Sequence, residues 1–294
     1  ESYQTITVDY ATSNGTATLA DNDYTQLLTG TLTFAADTTT LTQTITVQTT
    51  ADIKFEPDET VNVDLTNADN ATITDAQGIG TILNDDSAPT ITINDVSITE
   101  GGQLIFTVTL SNESYQEVTV DYATSNGTAT LADNDYTQLL TGTLTFAADT
   151  TTLTQTITVE TTADTKFEPD ETVNVDLTNA DNATIGDAQG VGTITNDDSA
   201  PTITINDVSV TEGGQLIFTV TLSNESYQEI TVDFVTSNGT ATLADNDYTQ
   251  LLTGTLTFAA DTTTLTQTIT VQTTADAKFE PNETVNVDLT NADN

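Results

Sequence analysis

Apolar and polar positions alternate along most of this chain. Leu104, Phe106, Val108 and Leu110 alternate with Ile105, Thr107 and Thr109, the period-two spacing of a strand with one buried face. Val118, Val120 and Tyr122 continue it, followed by Leu144 and Phe146, by Leu153, Ile157 and Val159, and by Val173, Val175 and Leu177. Residues 90–94 and 96–99 are rich in β-branched side chains and read as a first strand interrupted at Asp95. Val191 and Ile194 mark a last strand. Between these runs lie Glu100-Gly101-Gly102, Asn126-Gly127 and the polar stretch 179–187, which read as turns. No stretch shows a helical period. About seven short strands, each with one core face, require two sheets packed face to face. The expectation is all-β: tandem immunoglobulin-like β-sandwich domains of about seven strands.

The pattern recurs every 112 residues, the size of a whole domain rather than of a solenoid unit. Residues 1–87 differ from 113–199 at only seven positions, Thr5/Glu117 and Gln48/Glu160 among them. Three units follow: 1–87, lacking its first two strands; 88–199, complete; and 200–294, lacking its last strand. Ser87-Ala88-Pro89 and Ser199-Ala200-Pro201 read as short, stiff linkers. The chain is expected to be a window on a longer array of the same units, with the missing strands unseen or supplied by a neighbouring chain.

Charge sharpens the picture. The 294 residues carry 45 acids, three lysines, no histidine and a formal charge of −42. Nucleic acids and anionic membranes are therefore poor partners and cations natural ones. With no cysteine there is no disulfide framework and no thiolate metal site, and no apolar run is long enough to span a bilayer. The three lysines, Lys54, Lys166 and Lys278, are one position repeated three times. Each sits in an acidic loop between two strands, of which Asp164-Thr165-Lys166-Phe167-Glu168-Pro169-Asp170-Glu171 is the middle copy.

Sandwich topology can bring this loop to one pole with Glu100, Asp135, Asp197 and Asp198. Carboxylates crowded there repel one another unless a cation joins them. An all-oxygen set suits Ca²⁺, which takes six to eight oxygens in flexible geometry. Zinc and copper are disfavoured without His or Cys. The other reading is a merely solvated acidic pole. Acid/base catalysis by paired carboxylates has little support, because no Arg, Trp or His accompanies them, so a non-enzymatic protein is expected. Asn126-Gly127-Thr128 and Asn182-Ala183-Thr184 fit the glycosylation sequon, but such matches arise easily in a chain this rich in Asn and Thr.

Thr99-Glu100-Gly101-Gly102, Val120-Asp121-Tyr122-Ala123-Thr124, Asp135-Tyr136, Gly142-Thr143-Leu144-Thr145-Phe146, Asp170-Glu171 and Gly192-Thr193-Ile194-Thr195-Asn196-Asp197-Asp198 together resemble the Calx-beta motif, in order and across the whole repeat. The resemblance implies a sandwich that binds Ca²⁺ at one pole through Glu100, Asp135, Asp164, the Lys166 carbonyl, Glu168, Glu171, Asp197 and Asp198. The copies are Asp23, Asp52, Glu56, Glu59, Asp85 and Asp86 in the first unit, and Glu212, Asp247, Asp276, Glu280 and Glu283 in the third. Ala163, Thr165, Pro169 and Asn196 depart from the most acidic members, which implies fewer or weaker ions. The functional expectation is an extracellular or cell-surface structural segment, the calcium-stiffened rod or stalk of a bacterial surface adhesin. Its partners would be calcium ions and neighbouring repeats. The alternatives are a self-assembling extracellular filament or biofilm fibre of identical chains, and a regulatory calcium-sensing module.

Overall fold

In a computed structural model, residues 1–293 are described, and they contain strands, turns and loops but no helix. Residues 1–87 form β1 (Ile6–Asn14), β2 (Gly30–Phe34), β3 (Glu59–Asp69) and β4 (Gln77–Ile82). The next unit forms β5 (Thr90–Ile93), β6 (Val96–Thr99), β7 (Gln103–Leu110), β8 (Val118–Asn126), β9 (Gly142–Phe146), β10 (Thr154–Glu160), β11 (Glu171–Asp181), β12 (Thr184–Ile185) and β13 (Gln189–Thr195). The last forms β14 (Ile203–Ile205), β15 (Gln215–Leu222), β16 (Ile230–Asn238), β17 (Gly254–Phe258), β18 (Thr266–Gln272) and β19 (Val285–Asp293).

The middle unit is a sandwich of a four-stranded sheet, ordered β10-β7-β5-β12, and a five-stranded sheet, ordered β6-β13-β11-β8-β9. Its core is the inward half of the alternation. Leu104, Phe106, Val108 and Leu110 from one sheet meet Val118, Val120, Val173, Val175 and Leu177 from the other, all buried. The interruption at Asp95 is a change of sheet: β5 pairs with β7, and β6 crosses to pair in parallel with β13. Side chains at the crossover replace the lost ladder bonds. The Thr107 N–H donates to Asn94 Oδ1 at 2.6 Å, and the Val191 N–H donates to Asp95 Oδ1 at 2.7 Å.

Two details depart from the alternation read in the sequence. Val191 faces outward, while Gly190, Gly192 and Ile194 face in. The sheets approach closely there, since a Cβ on Gly192 would lie 2.6 Å from Leu104 Cδ1. The stretch 179–187 is not all turn, because β11 runs on to Asp181 and β12 adds a short parallel pair with β5. A register shift between Thr178 and Asp181 lets β11 continue, with Asn179 at φ 51. Asparagine tolerates this left-handed conformation better than most residues.

The outer units show how far a strand depends on its partner. Residues 42–48 match the β10 sequence except for Gln48 in place of Glu160, and form no strand. In the middle unit β10 pairs with β7, and residues 1–87 contain no counterpart of β7. Likewise residues 208–211 match β6 except for Val210 in place of Ile98 and are not a strand, while its parallel partner β13 has no counterpart in residues 200–293. Pairing and packing decide these segments, not intrinsic propensity.

Candidate cation site

Strand register gathers the pole. Thr99 pairs with Thr195 at the ends of β6 and β13, Gln103 with Glu160, and Glu171 with Ile194. The β6–β7 turn, the β10–β11 loop and the exit from β13 therefore lie together. The β8–β9 loop is tied to them: the Thr162 N–H donates to the Asp135 carbonyl at 2.9 Å, and Tyr136 forms an isolated bridge with Thr161.

Asp135 is held firmly. It is 7% exposed, and its Oδ2 accepts the Thr130 N–H at 2.6 Å. Tyr136 beside it is buried, and its hydroxyl donates to Asn126 Oδ1 at 2.6 Å. The amide of the Asn126 sequon is thus engaged in packing, and Asn182 donates its amide to the Glu117 carbonyl at 2.9 Å. Asp164 closes a turn by accepting the Lys166 N–H at 2.7 Å. Glu100 accepts the Asp197 N–H at 3.2 Å.

The carboxylates fall into two trios. Glu100, Asp164 and Asp198 form one, and Asp135, Glu168 and Glu171 the other; within each, one oxygen per residue lies within 4.8 Å of the others. A cleft of about 10 Å³ between them is lined by Glu100, Asp135, Asp164, Glu168 and Glu171, room for one water-sized sphere. Asp198 thus groups with Glu100 and Asp164, not with Glu168 and Glu171. The Asp197 carboxylate belongs to neither trio, though its backbone closes on Glu100.

Burial and mutual repulsion set the electrostatics of the pole. Burial raises the pKa of Glu171 to about 7, helped by the Asp135 and Glu168 charges and a hydrogen bond to Asp135. Burial likewise raises Glu168, Glu100 and Asp198. Among the described residues, Asp198 Oδ2 is the buried side-chain oxygen with no hydrogen-bond partner. Leaving such an atom unpaired costs roughly 1–3 kcal/mol.

The first unit repeats the arrangement in part. Asp23, Asp52 and Glu56 form a trio, while Glu59 is bonded to Asp23 and pushed up to about 7, first by burial. Asp85 and Asp86 line the same cleft. Asp52 joins Asp23 here, whereas its copy Asp164 joins Glu100, which has no counterpart in residues 1–87. In the third unit Asp247, Glu280 and Glu283 form the trio. Glu212 and Asp276 stand outside it, Glu212 exposed and Asp276 accepting the Lys278 N–H at 2.7 Å.

The donor set fits a hard cation. Six carboxylates in two trios, one with an orphaned oxygen, match the all-oxygen shell of Ca²⁺. The sequence reading missed the use of the loop's other residues. The Lys166 ammonium pairs with Glu168 at 3.0 Å and with Asp261 of the following unit at 2.9 Å. Phe167 packs on Tyr227, ring centroids 6.0 Å apart. A phenylalanine standing among acids in an exposed loop was the available signal.

The family model of the Calx-beta domain matches residues 1–95, 84–208 and 195–294. No curated protein matches. Among solved structures, CBD12 from CALX1.2 is 22% identical over 63% of this chain and 76% of that one, at a TM-score of 0.35. The calcium binding domain CBD12 of CALX1.1 is 21% identical, covering 69% and 79%, also at 0.35.

Proposed function

Since the chain belongs to the Calx-beta domain family, with three tandem copies along it, we propose that each pole binds Ca²⁺ and that the array is a calcium-stiffened structural rod. The carrying observation is the pair of carboxylate trios with Asp198 Oδ2 left unpaired between strand end and linker. Glu100 and Asp164 would hold an ion with Asp198, at the point where the chain leaves for Pro201. An ion there ties the exit to the body of its own domain and fixes the angle at which the next begins. Asp135, Glu168 and Glu171 would hold a second ion. The bound ion supplies positive charge and draws the carboxylates together; the chain's part is to present them deprotonated and to fix the loops that carry them.

The setting proposed is outside the cell, as the stalk of a bacterial surface adhesin. Near-identical repeats add length without new specificity. Extracellular modules bind Ca²⁺ at about 10⁻⁴–10⁻³ M, an affinity that the substitutions at Ala163 and Asn196 suit. The role is binding rather than catalysis.

The test is calorimetry and thermal melting of the whole chain with Ca²⁺ and with EGTA, alongside Asp164→Ala and Glu171→Ala. Saturable binding with a raised melting temperature, weakened in both variants, supports the reading. No heat and no shift at several millimolar Ca²⁺ overturns it and leaves a solvated acidic pole.

A further inference from the structure

The loop that carries part of the second trio also carries a cation of its own. The Lys166 ammonium lies 3.0 Å from Glu168, and its side chain is only 18% exposed. Burial pulls the lysine's pKa down, but hydrogen bonds to Asp261 and Glu168 outweigh it and the net shift is upward, so the ammonium stays charged where it lies. The contact belongs to the loop itself, since Lys54 stands 3.1 Å from Glu56 and Lys278 pairs with Glu280. The first trio has nothing comparable. Among the described residues no ammonium pairs with Glu100, Asp164 or Asp198.

Two of these lysines have a further partner across a joint. Lys166 reaches Asp261 of the following unit at 2.9 Å, and Lys54 reaches Asp149 at 2.8 Å. Backbone contacts place the receiving aspartate. Phe167, next to Lys166, bridges to Ser226, and the Ser226 carbonyl accepts the Asp261 N–H at 2.9 Å. Phe55, Ser114 and Asp149 repeat this at the first joint. One ammonium is thus shared between a carboxylate of a unit's own pole and a carboxylate of the next unit, in a geometry that both joints reproduce.

We propose that Lys166 is a built-in counter-cation of the Asp135, Glu168 and Glu171 trio, and that Asp261, by sharing this lysine, sets the calcium affinity of that pole from the neighbouring unit. The device is an exchange of partners. A divalent cation entering the trio takes Glu168 from the ammonium, and two positive charges so close repel. Asp261 offers the ammonium another carboxylate already at contact distance, and so eases its release. Asp261 is a positioning residue, acting on the site only through Lys166. Lys54 and Asp149 serve the pole of the first unit in the same way. The coupling is reciprocal: an ion in the trio strengthens the Lys166–Asp261 pair, and with it the joint. This inference rests on the calcium reading and adds the regulation of that site by its neighbour.

The experiment is Ca²⁺ titration calorimetry of the whole chain, carrying Glu59→Gln and Glu283→Gln to weaken the outer poles, with Lys166→Gln, Asp261→Asn and the two combined. Lys166→Gln should tighten binding at the middle pole about tenfold, and Asp261→Asn should loosen it about three- to fivefold. Once Lys166 is replaced, Asp261→Asn should change the affinity less than about twofold, because the two residues act as one pair. Melting in EGTA is the second readout. Lys166→Gln should lower the ion-free melting temperature, because Glu168 loses its counter-charge, although the variant binds calcium more tightly. A lysine that only braces the loop would lose stability and affinity together. Affinity that falls or stays put in Lys166→Gln overturns the proposal, as does an Asp261→Asn effect of equal size with and without Lys166. A parent chain that takes up no Ca²⁺ overturns the calcium reading and this inference with it; a parent that binds while the variants match it overturns this inference alone.

Discussion

Glu171→Gln should change the ion-free and ion-loaded protein in opposite directions. In the ion-free pole Glu171 is bonded to Asp135, and its pKa stands near 7. Glu171 is therefore about half protonated at neutral pH and ionised at pH 8, when its charge faces the Asp135 and Glu168 charges that raise its pKa. With the trio's oxygens within 4.8 Å, two unit charges repel by about 1 kcal/mol at a dielectric of 80 and about 3.5 kcal/mol at 20. Glutamine keeps the shape and a donor toward Asp135 while removing one charge. In EGTA at pH 8 the variant should be more stable than the parent by about 1 kcal/mol, a rise of several degrees for a domain of this size. With calcium the order reverses. A site with Kd of about 10⁻⁴ M in 10 mM Ca²⁺ stabilises by about 2.7 kcal/mol, and the variant forfeits most of that at its own trio. Differential scanning calorimetry of parent and variant, with and without Ca²⁺, reads both signs in one series. A variant destabilised in EGTA as well would refute the reasoning, because Glu171 would then be a structural hydrogen-bond acceptor and not an excess charge.

Calcium affinity should rise with pH. The folded pKa of about 7 lies above the unfolded value near 4.5, so the ion-free fold holds the extra proton between these values. The Glu171 contribution to stability is therefore full below about pH 4.5 and is lost as pH rises through 7, and ion binding must release that proton. Calorimetry in two buffers of different ionisation enthalpy counts it; equal heats in both would contradict the raised pKa. Phe106→Ala removes a fully buried ring from the middle core and should cost about 3–5 kcal/mol, read by denaturant unfolding of the middle unit. Gly127→Ala places a Cβ 2.3 Å from the Thr172 carbonyl and should destabilise by about 1–3 kcal/mol, whereas Thr128→Ser should be near neutral in the same melt. Lys166→Ala with Phe167→Ala should loosen the second joint and leave both core transitions in place; small-angle scattering with an unchanged maximum dimension and profile would show that the joint does not depend on them.

Fold and pole were legible in the sequence to different depths. Strong alternation made the core faces plain, because Phe106, Val108, Val173 and Val175 can be buried only if two sheets meet. The change of sheet at Asp95 was visible as a break, but its destination was not, since parallel pairing of β6 with β13 joins residues almost a hundred positions apart. Glycines at 190 and 192 leave no side chain in the pattern, so the sequence marked the last strand by Val191 and Ile194 without showing which face was inward. The acidic loop announced carboxylates in number, yet their division into two trios depends on which loops touch, and that follows from register. The Lys166–Asp261 pair was beyond reach, because its two halves belong to different domains.

The parallel pairing of β6 with β13 also determines how a unit bears tension. Force applied to a unit at Pro89 and Asp198 first meets β5, held by β7 and β12, and then β6, which it draws against β13 along their own axes. Their pairs, from Gly192 with Val96 to Thr195 with Thr99, then share the load at the same time instead of parting one after another. A hairpin pulled open at its mouth yields bond by bond; a pair sheared lengthwise must give way all at once. β6 and β13 therefore act as a clasp across the two ends of the unit.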